Sequence, residues 1–316
     1  MLAEALGWLG RHGKAMLAAG IFLGLAVPPL AGLLRPLLTP AVIALLALTL
    51  LRLDWTLVRD SLKRPLPALL LIVWLLVVSP AAMALATALA GVPAGLAEAM
   101  VLWAASPPLI AAPALATLLG LDAALALVAT VLATFAMPLV LPPLALLLAG
   151  IDVGLAAAPL FLRLALLTFG ALVLALAMRR LIGAERLAAR PERIDGGIVL
   201  SLLVFAVAAM DGITARALAE PAKVGAFVLA AFAANLSFQA LCALLCSRLP
   251  RRTALALAIA SGNRNLAIPV GSLGSAAPPD VFLYFAVGQL PIYLLPGMLA
   301  PIYRRLARAS SAQRAG

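Results

Sequence analysis

The stretch LAIASGNRNLAIPVG, residues 257–271, interrupts an apolar segment with five polar or flexible residues in succession: Ser261, Gly262, Asn263, Arg264 and Asn265. A charged guanidinium in the hydrocarbon of a bilayer costs about 2.5–3.5 kcal/mol even on the mildest insertion scales. The stretch therefore predicts a helix that is broken inside a membrane, with some group nearby that compensates Arg264.

The composition sets this stretch in a membrane protein. Of the 316 residues, 65% are hydrophobic and 11% are charged, whereas a soluble domain is about half apolar and a quarter charged. The apolar runs are about 20 residues long and do not alternate, which indicates membrane-spanning helices. We predict an all-α polytopic membrane protein with a tight hairpin at Pro36 and Pro40 between its first two spans. The ten predicted spans are 15–34, 36–51, 66–90, 95–119, 122–149, 155–178, 197–218, 224–247, 252–275 and 280–303.

The basic residues predict the orientation. In this topology, 18 of the 23 Lys and Arg residues lie on one side, three lie on the other, and Arg163 and Arg264 lie within helices. By the positive-inside rule, both termini are expected in the cytoplasm, as in a bacterial inner membrane protein. The same distribution explains the net charge of +11 without a nucleic-acid partner. We interpret Met1–Lys14 as a cytoplasmic lead or interfacial helix.

The sequence also contains an internal correspondence. A shift of 158 residues places Asp122 on Asp280, each at the start of a predicted helix, and Pro107 on Asn265. Five helices per half would make the second half enter the membrane from the opposite side, which is the inverted repeat of many secondary transporters. The predicted repeats are residues 15–150 and 155–303 of a single transporter domain spanning 1–316.

Both halves carry a helix break at a similar depth. Pro107, Pro108 and Pro113 interrupt predicted helix 4, and Gly262–Asn265 interrupts predicted helix 9. Each break lies about 18 Å from the start of its helix at 1.5 Å per residue, close to the midplane of the bilayer. Unwound backbone at this depth needs protein or a water-filled cavity around it. The breaks predict the substrate site, and ordinary proline kinks are the alternative.

Two stretches resemble the bile acid:sodium symporter superfamily, and the similarity runs from about residue 15 to 305. SPPLIAAPALATLLGLDAALALVAT (106–130) and ASGNRNLAI (260–268) are similar to that family's two crossing helices, with matches at Asp122, Gly262 and Asn265. The resemblance implies a panel domain and a core domain, with the broken helices crossing in the core. It also implies transport of an organic anion such as a bile acid, a steroid conjugate or a small carboxylate, usually with Na⁺.

The departures from the family pattern fall on its sodium ligands. The family's Ser, Asn, Ser, Glu and Gln are replaced here by Ala112, Pro113, Ala126, Ala260 and Arg264. We therefore expect Arg264 to act as a built-in cation that replaces the ion and binds a substrate carboxylate or sulfonate with two parallel hydrogen bonds. The alternative is an internal ion pair of Arg264 with Glu98 or Asp211. Glu98 is either protonatable, which would permit H⁺ coupling, or a simple interfacial carboxylate.

The predicted substrate or ion site contains Pro107, Pro108, Pro113, Thr130, Gly262, Asn263, Arg264, Asn265 and Gln289. Thr130 keeps a ligand-type side chain, although its hydroxyl can also bond its own helix. Gln289 can instead make an interhelical hydrogen bond. His12 is the only histidine, so we expect no histidine-based metal site. We expect no cofactor, with Na⁺ or H⁺ as the candidate coupling ions.

These patterns favour a secondary carrier of a small organic anion across a lipid bilayer. A conventional Na⁺ or H⁺ symporter with backbone ligands, a passive uniporter or channel, and a non-transporting scaffold remain as alternatives. An enzyme is not expected, because the sequence offers no convincing nucleophile–base pair or set of metal ligands.

Overall fold

A computed structural model describes residues 19–53, 55–62, 65–149, 157–189, 191–274 and 277–312. The described part is built of helices. The helices are α1 (19–26), α2 (Pro28–Leu34), α3 (Leu38–Leu51), α4 (Trp55–Leu62), α5 (Pro65–Val73), α6 (Ser79–Leu89), α7 (Ala94–Ala104), α8 (Ala112–Leu118), α9 (Ala124–Ala149), α10 (Ala157–Ile182), α11 (Ala184–Ala188), α12 (Pro191–Ala208), α13 (Ile213–Ala219), α14 (Pro221–Leu245), α15 (Arg251–Gly262), α16 (Ala267–Leu273), α17 (Pro279–Val287) and α18 (Gln289–Ala312).

Seven helical stretches within the described residues are long and apolar enough to cross a membrane. Many of their large aliphatic side chains are exposed, as on a surface that faces lipid. The chain thus has the architecture of an all-helical polytopic membrane protein. The stretches are Pro28–Leu51, Leu69–Leu89, Ala124–Leu148, Ala158–Ile182, Pro191–Ala219, Pro221–Leu245 and Pro279–Ala307.

The hairpin predicted at Pro36 and Pro40 is not formed. The chain remains helical from Pro28 to Leu51, with only a 3-10 turn at Arg35–Leu37. Both prolines lie in the first turn of a helical segment, where no intrahelical N–H donor is needed. The break lies instead between α1 and α2, at Val27, whose φ is −125°. The predicted lead Met1–Lys14 lies outside the described residues.

The chain forms two compact units, and each draws on both halves of the sequence. Unit 1 comprises Met1–Leu53, Pro159–Gly225 and Ala267–Ala277. In unit 1, α12 packs along both α2 and α3, and α16 packs against α3. The hydroxyl of Thr39 donates to the carbonyl of Gly271 at 3.1 Å, and the carboxylate of Asp195 lies 3.0 Å from Nε of Arg52.

Unit 2 comprises Asp54–Ala158, Ala226–Leu266 and Pro278–Gly316. Here α7 packs against α6 and α17, while α15 packs against α8 and α9. The buried faces of these helices are rich in alanine, including Ala112, Ala116, Ala129 and Ala256. Small side chains let helix backbones approach closely, which is the usual basis of packing between membrane helices.

Two aspartates connect helix starts within unit 2. Asp122 accepts the backbone N–H of Ala124 at 3.2 Å, and its second oxygen accepts the hydroxyl of Thr253 in the first turn of α15 at 2.8 Å. Asp280, in the first turn of α17, packs so closely on Gly95 of α7 that a Cβ at position 95 would collide with its carboxylate. Each carboxylate therefore lies beside the positive ends of two helices.

The contact between Asp122 and Thr253 gives a first prediction. Thr253→Val should lower the free energy of unfolding by about 1.5 kcal/mol, because it removes a hydrogen bond to a charged group. The free energy can be measured by SDS titration of the protein in mixed micelles. Thr117→Val is the matched control, since the hydroxyl of Thr117 bonds the carbonyl of Pro113 in its own helix and no other described residue. Equal losses in the two variants would contradict a specific bond between α9 and α15.

Candidate functional site

The two predicted helix breaks meet in unit 2. The first lies between α7 and α8, and the second lies between α15 and α16, where Asn263 is extended with φ −99° and ψ 94°. The N–H of Asn265 donates to the carbonyl of Pro107 at 2.8 Å, and the N–H of Leu109 donates to that of Asn263 at 2.7 Å. Pro108 and Arg264 are thereby opposed in a short antiparallel pairing, which we call the crossing. Each break satisfies backbone groups of the other.

Arg264 extends from this pairing into the interior of unit 2, and its side chain is 0% exposed. Nε donates to the carbonyl of Ser261 at 2.6 Å, and one terminal nitrogen donates to the carbonyls of Leu75 and Ser106 at 3.0 and 3.1 Å. The other terminal nitrogen donates to the hydroxyl of Ser79 at 2.9 Å. Four neutral oxygens from three segments of the chain therefore surround the guanidinium.

The carbonyl of Leu75 is available because the helix is locally widened and then meets a proline. Trp74–Val78 forms a π-helical turn, in which the N–H of Ser79 bonds the carbonyl of Trp74. If this pattern continued, the carbonyl of Leu75 would accept from the backbone N–H of residue 80. Residue 80 is a proline and has no backbone N–H. Arg264 supplies the missing donor.

The other two carbonyls are available because of the breaks. In an uninterrupted helix, Ser261 would accept from Asn265, but the N–H of Asn265 is used by Pro107. Ser106 is followed by two prolines, and the N–H of Leu109 goes to Asn263. The local sequence thus leaves carbonyl acceptors available around the guanidinium of Arg264.

The internal ion pair considered for Arg264 is not present. Among the described residues, no carboxylate lies within salt-bridge distance of its guanidinium. Glu98 lies near the like-charged carboxylate of Asp280, and Asp211 lies near Arg35. Three carbonyls and the hydroxyl of Ser79 already accept from Arg264, and the ring of Phe238 lies 5.9 Å from its central carbon. The positive charge is therefore bound by dipoles and left without a neutralising partner in the described part.

Asn263 leads from this arginine into a buried chain of amides. Its side-chain oxygen accepts from Asn235 at 3.4 Å, and its own amide donates to the carbonyl of Ile259 at 2.9 Å. Asn235 in turn accepts from Gln239, which accepts the hydroxyl of Tyr303. These side-chain hydrogen bonds connect α15, α14 and α18, and they hold the crossing in place.

Gly262 is required by the close approach of α14. A Cβ at this position would lie 2.6 Å from the carbonyl oxygen of Asn235 and would also collide with Cγ of Gln239. Close packing against α14 therefore explains the glycine at this position. The backbone of Gly262 itself remains helical.

The predicted site residues separate into two groups. Pro107, Pro108, Gly262, Asn263, Arg264 and Asn265 come together at the crossing. Pro113 lies in the first turn of α8, and Thr130 donates to the carbonyl of Ala126 at 2.8 Å in its own helix. Gln289 donates to the carbonyl of Phe285 at 3.1 Å. None of these three bonds the guanidinium.

Sequence reasoning missed Leu75, Ser79 and Tyr303. The available signal was Ser79-Pro80 inside an apolar run, because a proline there frees an upstream carbonyl. No group of three or more His, Cys, Asp and Glu side chains suited to a metal ion occurs among the described residues.

No protein-family model matches the chain, and no curated protein is recognisably similar to it. The site therefore has to be interpreted from its own geometry.

Proposed function

We propose that the chain is a secondary-active transporter of a small organic anion. The observation that carries this proposal is the guanidinium of Arg264, which is buried between two broken helices with no carboxylate of the described residues beside it. Paired helix breaks near the midplane are typical of substrate sites in secondary transporters. A fixed positive charge at such a site favours an anionic substrate.

The aspartate contacts support an inverted repeat as part of this proposal. The 158-residue shift that takes Asp122 to Asp280 also takes Gly95 to Thr253. Asp122 contacts Thr253, and Asp280 contacts Gly95. The two contacts are therefore equivalent under the shift, as expected when two halves are related by a twofold axis in the membrane plane.

Most helices that correspond under the shift lie in the same unit, although α8 and α16 lie in different units. Under the shift, α14 corresponds to the stretch from α5 to α6, and both lie mainly in unit 2. Likewise, α12 corresponds to α3, and both lie in unit 1. On this proposal, unit 1 corresponds to the panel and unit 2 to the core of the bile acid:sodium symporters that the sequence resembles.

Within this proposal, Arg264 is a built-in cation that occupies the position of a coupling ion. Backbone carbonyls and a hydroxyl are ligands of the kind that hard cations take, and here the guanidinium receives them instead. Because the side chain is 0% exposed, it contributes a positive field and holds the crossing together in this conformation. Contact with a substrate carboxylate or sulfonate would require a conformation that opens this packing.

The test is the melting temperature of the purified protein in NaCl and in KCl, with and without taurocholate, p-nitrophenyl sulfate or succinate. A ligand that binds the folded form raises the melting temperature by mass action. We expect at least one anion to stabilise the protein equally in both salts. Stabilisation by Na⁺ alone would contradict the built-in cation and favour conventional symport.

Transport itself is tested by counterflow of the stabilising anion in proteoliposomes. A carrier gives saturable uptake that is accelerated by the same anion inside the vesicle. Flux that rises linearly with concentration would indicate a channel, and uptake that needs a pH gradient would direct attention to Glu98 as a proton site.

A further inference from the structure

A groove of about 610 Å³ opens in unit 1 at the ends of its long helices. The last turns of α3 and α10, together with α11 and the start of α12, form its walls. Most of its lining is aliphatic, including Leu48, Ile182 and Ile194. It is separate in sequence from the residues around Arg264, and the proposed transport cycle does not use it.

The ends of the apolar stretches place this groove at one membrane surface. Pro28–Leu51 and Ala158–Ile182 end at the groove, and Pro191–Ala219 begins beside it. The end of a spanning stretch lies where hydrocarbon gives way to lipid headgroups. The groove therefore lies across the boundary between acyl chains and headgroups, on the side that the positive-inside rule assigns to the cytoplasm.

Two exposed arginines line the groove beside its aliphatic walls. Neither Arg186 nor Arg193 forms an ion pair with any residue that the structure describes. The neighbouring carboxylates of Glu185 and Glu192 are exposed and form no ion pair with either guanidinium. Arg52, by contrast, is bound to Asp195. The groove thus combines an apolar slot with two positive charges that have no ion-pair partner in the described part of the chain.

We propose that this groove binds one anionic phospholipid. The phosphate would be held by Arg186 and Arg193, since a guanidinium fork matches the geometry of phosphate oxygens. An acyl chain would lie along Leu48, Ile182 and Ile194. Basic pockets between membrane helices on the cytoplasmic side bind anionic headgroups in this way. A soluble anion would use the arginines and leave the aliphatic walls without a partner.

The experiment measures the melting temperature of the full chain in mixed micelles as the mole fraction of phosphatidylglycerol rises, with phosphatidylcholine as the neutral reference. In the double variant Arg186→Gln/Arg193→Gln, the half-saturating mole fraction should rise about 25-fold. Each basic residue near an anionic surface contributes about 1 kcal/mol, which is about fivefold in affinity. Both side chains are exposed, so the variant should fold.

The matched control is Arg304→Gln/Arg305→Gln, which removes two exposed arginines from α18 outside the groove. This control should leave the half-saturating mole fraction within about twofold of the wild type. Equal losses in both double variants would show general attraction to the surface and overturn the groove as a site. Equal stabilisation by phosphatidylcholine, or by inorganic phosphate alone, would also overturn the proposal.

Discussion

Replacing Arg264 with alanine should lower the free energy of unfolding by about 3–5 kcal/mol, as expected when a buried polar network loses its central member. Three carbonyls and the hydroxyl of Ser79 would lose their donor, and a cavity would remain. The gain from no longer burying a charge offsets part of this cost. The loss can be measured by SDS titration in mixed micelles.

The oxygens around the missing guanidinium should make the Arg264→Ala variant responsive to added cations. Guanidinium at low millimolar concentration, or Na⁺ in place of K⁺, should raise its melting temperature by binding the folded form. Arg163→Ala is the matched control, because Arg163 also lies within a membrane helix but makes, among the described residues, a single long bond of 3.5 Å to the carbonyl of Leu273. Rescue that is absent in Arg264→Ala, or equal in the two variants, would contradict the built-in cation.

Gly262→Ala should cost about 3 kcal/mol or more, at the upper end of what overpacking usually costs. The added methyl group would lie 2.6 Å from a backbone oxygen of α14, at Asn235, which cannot move aside without shifting its helix. The same shift would disturb Asn263, whose side chain bonds Asn235. Unfolding free energies in micelles measure the destabilisation, and anion-dependent melting shifts report on the site.

Gly271→Ala is the matched control for this substitution. Gly271 is also buried and helical, but the nearest atom to its added Cβ would be the flexible end of Leu167 at 3.5 Å, an ordinary contact. The control should change the stability by less than about 1 kcal/mol. If both glycines tolerated alanine equally, the close approach of α14 to α15 would not be what fixes the crossing.

The broad architecture could be predicted from the sequence because it rests on composition and local signals. Long apolar runs predict membrane helices. Both helix breaks were predictable because prolines remove donors at 107 and 108, and because the polar run at 261–265 cannot continue through lipid unaccompanied. The start of the predicted span 36–51 was misplaced, because prolines are found at several positions where a turn is possible. Of Pro28, Pro36 and Pro40, only Pro28 follows an actual break, at Val27.

The partners of Arg264 could not be predicted in the same way. Acidic side chains were the natural candidates, because a charge in sequence suggests an opposite charge. Three of the actual partners are backbone carbonyls. Every residue has a backbone carbonyl, so the type of residue does not indicate which one is used. Whether a carbonyl is available depends on hydrogen bonds elsewhere, such as those redirected by the π-helical turn at Trp74–Val78. Ser79 alone offered a side chain that could have been singled out.

The long separations along the chain between Arg264 and its acceptors have a consequence for biosynthesis. The bonds from Arg264 to Ser106, Ser79 and Leu75 span 158, 185 and 189 residues. During translation, these acceptors are made 158 to 189 residues before Arg264. Contacts of such long range also form late in folding, after the entropy of loop closure has been overcome. The surroundings of Arg264 are therefore expected to form late in the assembly of unit 2, after much of its local helical structure.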